Sequence, residues 1–119
     1  GIDVSEGMVV KAHQLAPFAQ IYQAPVEELP LQSNSVDLVT STVSFHHWQD
    51  QSQGILEITR VLRQKGIFIL ADPNIGHGYP MSRAQVHEIF HTSCLVVIKQ
   101  VSILPLFSIT VGENTRSLH

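Results

Sequence analysis

Apolar and polar positions along this chain change period several times, from extended to helical and back. Ile2-Asp3-Val4 reads as the end of a strand, and Ser5 follows as a helix N-cap, its hydroxyl placed to accept from the orphan amides of a first turn. From Glu6 to about Leu15, Met8, Val9, Ala12 and Leu15 recur at helical spacing, and Pro17 limits that helix. Phe18 to Tyr22 predicts a short strand, and Pro25 to Asn34 a loop, with Pro30 and Gln32-Ser33-Asn34-Ser35 as turn material. The β-branched run from Val36 to Val43 predicts a strand buried on both faces. Gln51 to Arg63 is amphipathic, with Ile55, Ile58, Val61 and Leu62 on one side, and Gly66 is expected to end that helix. Ile67 to Leu70 is the next buried strand and Asp72 to Tyr79 a loop. Ser82 caps a further helix to about Thr92, and Leu95–Ile103 and Leu106–Val111 are two last strands separated by Pro105.

This order, strand–helix–strand–strand–helix–strand–helix–strand–strand, predicts an α/β sheet that is mostly parallel. The last two strands are joined by too short a turn for a parallel crossover, so they must form an antiparallel hairpin. The length, 119 residues, fits one domain or part of one, and no repeat or low-complexity tract divides it. With 44% hydrophobic and 14% charged residues, a packed core is expected rather than disorder. The net charge of -3 and the lack of any Lys/Arg run speak against a nucleic-acid partner. No apolar run reaches the roughly 18 residues of a membrane span, and no basic segment leads into an apolar stretch as in a signal peptide. A lone cysteine, Cys94, excludes an internal disulfide and fits a reducing, cytoplasmic compartment.

Taken in order, a set of segments adds a resemblance to this reading. They are Gly1-Ile2-Asp3-Val4-Ser5-Glu6-Gly7-Met8, Val26-Glu27-Glu28-Leu29-Pro30-Leu31, Val36-Asp37-Leu38-Val39-Thr40-Ser41, Arg60-Val61-Leu62 and Gly66-Ile67-Phe68-Ile69-Leu70-Ala71-Asp72-Pro73. Together they resemble the middle and C-terminal part of class I S-adenosylmethionine-dependent methyltransferases, in the broad group that methylates small molecules such as quinone precursors. The resemblance implies an incomplete Rossmann-like sheet, a single partial domain over residues 1–119, S-adenosylmethionine as cofactor and a small-molecule methyl acceptor.

It also implies roles. Asp3, at the end of a strand, matches the acidic residue that accepts from ribose hydroxyls, a task suited to an acceptor-only group with two oxygens. Val4 and Met8 would give apolar surface near the adenine. The alternative places Asp3 in a surface turn and Met8 in the core. Val26 and Glu27 match the loop bordering the adenine, where backbone groups would have to recognise the base. Relatives often place Gly-Asp just before this loop, and here those positions hold Ala24-Pro25. For Glu27 and Glu28 individually, an acidic surface loop is the competing reading. Ser41 and Thr42 follow the strand along which the cofactor's methionine moiety passes. His46 and His47 border the substrate or move protons in one reading, and in the other belong to a turn into the next helix, with Trp48 packed on the sheet. The family's Lys-Pro-Gly-Gly turn is Arg63-Gln64-Lys65-Gly66 here, a structural difference. No residue identifies itself as the catalytic base.

A rival motif is His87-Glu88-Ile89-Phe90-His91, which fits His-Glu-x-x-His on a predicted helix and would read as a zinc metallopeptidase. A catalytic zinc needs a third protein ligand. No histidine follows at the extended-motif spacing, and Glu113 falls after a strand rather than in a helix. No metal is therefore expected. The resemblance covers only the family's later part; its first strand, glycine-rich cofactor loop and first helix come before the Gly-Ile-Asp segment. That strand lies between the family's second and fourth strands, so a gap of roughly 9–10 Å is expected there. Methyl transfer is then expected to require the earlier part. The edges beside Ile2–Val4 and Val36–Ser41 are expected to drive homodimerisation. A methyltransferase-like interaction module without catalysis is the alternative.

Overall fold

A computed structural model describes residues 1–42, 45–73, 83–103 and 107–116. The elements are β1 (Ile2–Asp3), α1 (Glu6–Leu15), β2 (Tyr22–Gln23), β3 (Val36–Thr42), a 3-10 turn (Phe45–His47), α2 (Gln51–Val61), β4 (Leu62–Pro73), α3 (Arg83–His91), β5 (Leu95–Ile103) and β6 (Phe107–Asn114). Their order is the one the apolar periodicity predicts. The expected loop from Asp72 to Tyr79 begins later than predicted, since Asp72 and Pro73 continue β4 opposite Ser108 and Phe107; the rest of it, the Ser82 cap, the end of the strand at Val43 and the Pro105 turn lie outside the described residues.

Strands β3, β4, β6 and β5 form one sheet in that order, and β1 and β2 pair separately. The pairs β1–β2 and β3–β4 are parallel, with Leu38 opposite Ile67 and Ser41 opposite Leu70. Strand β6 runs antiparallel to both β4 and β5. The last two strands therefore form the antiparallel hairpin expected of them, folded back so that β6 lies inside and β5 at the edge. The core sits on one face of the larger sheet. There Phe68 and Leu70 of β4 and Leu95 of β5 meet Ile55, Ile58 and Val61 of α2 and Phe90 of α3. On β3 and β5, Leu38, Val96 and Ile98 remain exposed.

Some expectations are corrected. The segment from Phe18 does not begin a strand. Ala19 N–H donates to the Ala16 carbonyl at 3.0 Å, closing a turn over Pro17 and Phe18, and the strand forms only at Tyr22–Gln23. Phe18 is 99% exposed. Strand β3 is not buried on both faces: Leu38 is 55% exposed, while Val36 and Val39 pack against the core. Its β-branched composition marks a strand correctly, but among the described residues β3 pairs only with β4 and so is an edge. Helix α2 ends at Val61 rather than near Arg63. The Leu62 amide still donates to the Ile58 carbonyl, but Leu62 is extended and opens β4. Gly66 accordingly does not end the helix. It lies in the irregularity between the Val36–Leu62 and Leu38–Ile67 pairs, where a Cβ would stand 2.7 Å from the Arg63 carbonyl oxygen.

Helix α1 buries no residue, because it rests on only the short β1–β2 pair. Ile2 links this smaller unit to the main core.

Candidate functional site

The carboxyl end of β1 is shaped by Asp3 and Ser5. Asp3 Oδ1 accepts the Ser5 amide at 2.8 Å, and Ser5 Oγ in turn accepts the Met8 amide at 3.3 Å, capping α1. One carboxylate oxygen is thus fixed by the backbone. Among the described residues Oδ2 accepts no hydrogen bond, which leaves it for an incoming hydroxyl. Val4, 70% exposed, and Met8, 53% exposed, stand beside it as open apolar surface. Met8 is therefore not a core residue, and Asp3 is half-buried, its carboxylate closing a turn onto the Ser5 amide as a turn residue also would. The Ala24 amide donates to the Asp3 carbonyl at 3.0 Å and Gln23 Nε2 to the Val4 carbonyl at 3.3 Å. These bonds bring the start of the Pro25–Leu29 segment next to Asp3.

That segment is held along α2. Glu27 Oε1 accepts the Gln49 amide at 3.2 Å, and Gln53 Nε2 donates to the Glu27 carbonyl at 3.3 Å. One turn further on, Glu57 Oε2 accepts the Leu29 amide at 2.7 Å and Arg60 Nη2 donates to the Leu29 carbonyl at 3.1 Å. Glu57 and Arg60 are themselves joined through two parallel bonds, Nε–Oε1 at 2.6 Å and Nη2–Oε2 at 2.9 Å. Such a fork is the strong form of an Arg–carboxylate contact. Arg60's hydrogen bond holds the Glu57 carboxyl below its ordinary range; burial opposes this, and the Leu29 amide reinforces it. Glu57 is accordingly an anion at neutral pH.

The segment after β3 converges on the same helix. Ser41 is half-buried and Thr42 exposed at the end of β3. Phe45 is buried, and Trp48 meets it edge-on, ring centroids 4.8 Å apart at 77°. Gly54 makes room for Trp48: a Cβ there would lie 2.6 Å from Trp48 Cε3 and 3.1 Å from Val26 Cγ1. Val26 and Trp48 therefore cover one spot on α2, and the two loops are in register with each other. His47 is exposed, and His46 belongs to the same turn.

On α3, His87, Glu88 and His91 are all exposed, while Ile89 packs against the core and Phe90 is buried in it. Among the described residues no group of three or more His, Cys, Asp or Glu side chains could hold a metal ion. The apolar pair within the motif, Ile89 and Phe90, packs the helix onto the core.

The sequence reading missed Gln49, Gln53, Glu57 and Arg60 as residues that fix the loop. The only local signal was a glutamate and an arginine three apart on the polar side of an amphipathic helix, a spacing that also describes an ordinary solvated pair.

Comparison with known proteins gives the family and the fold. The family model described as a methyltransferase domain matches residues 1–70, more than half of the chain, and the chain belongs to that family of class I S-adenosylmethionine-dependent enzymes. A Mycolicibacterium smegmatis protein named a probable S-adenosylmethionine-dependent methyltransferase is 36% identical over 74 residues, 62% of this chain and 29% of its own length. The ubiquinone/menaquinone biosynthesis C-methyltransferase UbiE of Campylobacter jejuni is 29% identical over 72 residues, 60% of this chain and 31% of its own length. The chain thus spans less than a third of these curated relatives. In three dimensions the chain is similar to the YcgJ protein of Bacillus subtilis, with a TM-score of 0.82 at 17% identity over 98% of this chain and 82% of that one. This likeness carries the fold: a Rossmann-like sheet, present here in part. S-adenosylmethionine is the cofactor of the family.

Proposed function

We propose that this chain forms the adenosine side of the cofactor site in a methyltransferase acting on a small molecule, and that a further strand with a glycine-rich loop completes the site between β1 and β3. The observation that carries this is the oriented carboxylate of Asp3, one oxygen on the Ser5 amide, with exposed Val4 and Met8 around it. The residues fit the group they would hold. Asp3 Oδ2 offers an acceptor to a ribose hydroxyl, Val4 and Met8 offer apolar surface to the base, and the backbone of Val26 and Glu27 borders it on a loop fixed by α2. In this reading Ser41 and Thr42, at the end of β3, border the methionine moiety, and His46 and His47, the last two residues of the 3-10 turn, border the acceptor. The division of the strands into β1–β2 and β3–β4–β6–β5 supports a vacant strand position between them.

The bound cofactor supplies an electrophilic methyl group on a sulfonium. The chain's own contribution is to bind and orient, which is the larger part of catalysis for an in-line displacement. Replacing Asp3 with alanine in the completed protein is expected to weaken S-adenosylhomocysteine binding by about 1–3 kcal/mol, the cost of unmaking a hydrogen bond to a charged group. Isothermal calorimetry checks this; an unchanged affinity removes Asp3 from the site.

A second reading, an interaction module without catalysis, is favoured by one feature: Ala24-Pro25 offers no carboxylate next to the base. It predicts no cofactor binding even by the completed protein. In either reading we propose that the 119-residue chain alone forms a homodimer in a reducing, cytoplasmic setting, because the β3 edge and the exposed Leu38 beside it invite pairing. Light scattering at high micromolar concentration should give twice the 13.2 kDa chain mass, and a monomer there would reject the dimer.

A further inference from the structure

We infer that Glu57 and Arg60 are positioning residues for the cofactor, acting through the loop at Val26–Leu29. The inference rests on the cofactor reading proposed above. The pair lies on α2 and reaches no proposed ligand position itself. What it does is take both backbone polar groups of one loop residue, and so one group from each of two successive peptide units, Glu57 accepting from the Leu29 amide and Arg60 donating to the Leu29 carbonyl. The two side chains are forked on each other at 2.6 and 2.9 Å, so neither can swing away alone. Arg60 Nη1 also donates to Ser33 Oγ at 3.2 Å, extending the hold along the loop.

The geometry distinguishes this from an ordinary surface ion pair. Leu29 is buried, so its amide and carbonyl have little access to water and depend on these partners. The Glu57 side chain is only 13% exposed. Leu29 is two residues from Glu27, whose side chain is tied to Gln49, just before the helix, and whose carbonyl is tied to Gln53 in its first turn. The loop is thus pinned at both ends along α2. A loop fixed before the ligand arrives loses less freedom on binding, and affinity rises for that reason alone. Without the pair, the backbone near Val26 and Glu27 would have to be ordered by the ligand.

The test titrates S-adenosylhomocysteine into the completed protein and its Glu57→Ala, Glu57→Gln, Arg60→Lys and Asp3→Ala variants, with hydrogen exchange at the Leu29 amide followed in each. Glu57→Ala is expected to weaken binding about tenfold or more and to speed Leu29 exchange. Glu57→Gln keeps an acceptor oxygen and is expected to recover part of both. Arg60→Lys keeps the charge but loses the fork, and should fall between them, which preserves the test if Glu57→Ala does not fold. Asp3→Ala should weaken binding and leave Leu29 exchange unchanged. Full affinity in the Glu57 and Arg60 variants beside a weakened Asp3→Ala overturns this inference alone. Full affinity in all of them overturns the cofactor reading together with it.

Discussion

Truncating Phe90 to alanine is expected to lower stability by about 3–5 kcal/mol, a large part of the total for a domain of this kind. Phe90 is fully buried and anchors α3 to the sheet. Its ring centroid lies 5.5 Å from that of Phe68, the planes tilted by 34°. Beneath it β6 carries Gly112, where an added Cβ would stand 3.0 Å from Phe90 Cδ2 and 2.8 Å from Leu95 Cγ. The sheet comes this close to the helix because position 112 has no side chain. The same fact makes the cavity left by Phe90→Ala hard to refill, since no flexible neighbour projects from that position. Urea unfolding measures the loss, and Phe90→Leu should recover much of it. A change under about 1 kcal/mol would mean that α3 does not pack as described.

The second large effect is expected at Asn114. Its side chain is fully buried at the end of β6, and Nδ2 donates to the carbonyls of Leu62 at 3.0 Å, Arg63 at 3.2 Å and Thr59 at 3.4 Å. Oδ1 accepts the Arg116 amide at 3.0 Å. One amide group therefore ties a carbonyl of the last turn of α2, Thr59, to two at the start of β4, Leu62 and Arg63, across the junction where the helix stops. Asn114→Ala strands these carbonyls in the interior at about 1–3 kcal/mol for each group that finds no water, and about 3 kcal/mol in all is expected. Asn114→Asp should do nearly as much damage, because a carboxylate has no N–H to donate. Because Asn114 fixes where α2 stops, its loss should also loosen the Val26–Leu29 loop. Thermal unfolding reads the first effect and amide exchange at Leu29 the second. An Asn114→Ala protein as stable as the parent would show that the end of α2 is satisfied in another way.

What was legible in the sequence was what local period reports. The apolar stripe of Ile55, Ile58 and Val61 identified α2 and its buried side, and the Ser5 cap identified the start of α1. The short connection between β5 and β6 required their antiparallel pairing. The short apolar segment at Ile2 put Asp3 at the end of a strand, and β1 ends there. Contacts between distant positions were not legible. Leu29 and Glu57 lie 28 residues apart, and Asn114 and Leu62 lie 52 apart; no periodicity relates them. Glutamate and arginine three apart on a helix read as a solvated pair until the buried loop beside them is seen. The burial of β3 was misjudged for a related reason: β-branched residues report a strand, but the number of strands beside it is a property of the whole sheet.

The central claim is that Asp3 and the Val26–Leu29 loop are one side of a cofactor site completed by a strand and glycine-rich loop between β1 and β3. Calorimetric titration of S-adenosylhomocysteine into the 119-residue chain and into the completed protein, side by side, tests it most directly. The account predicts no micromolar binding by the 119 residues alone and micromolar binding by the completed protein. Micromolar binding by the 119-residue chain, or none by the completed protein, would contradict it.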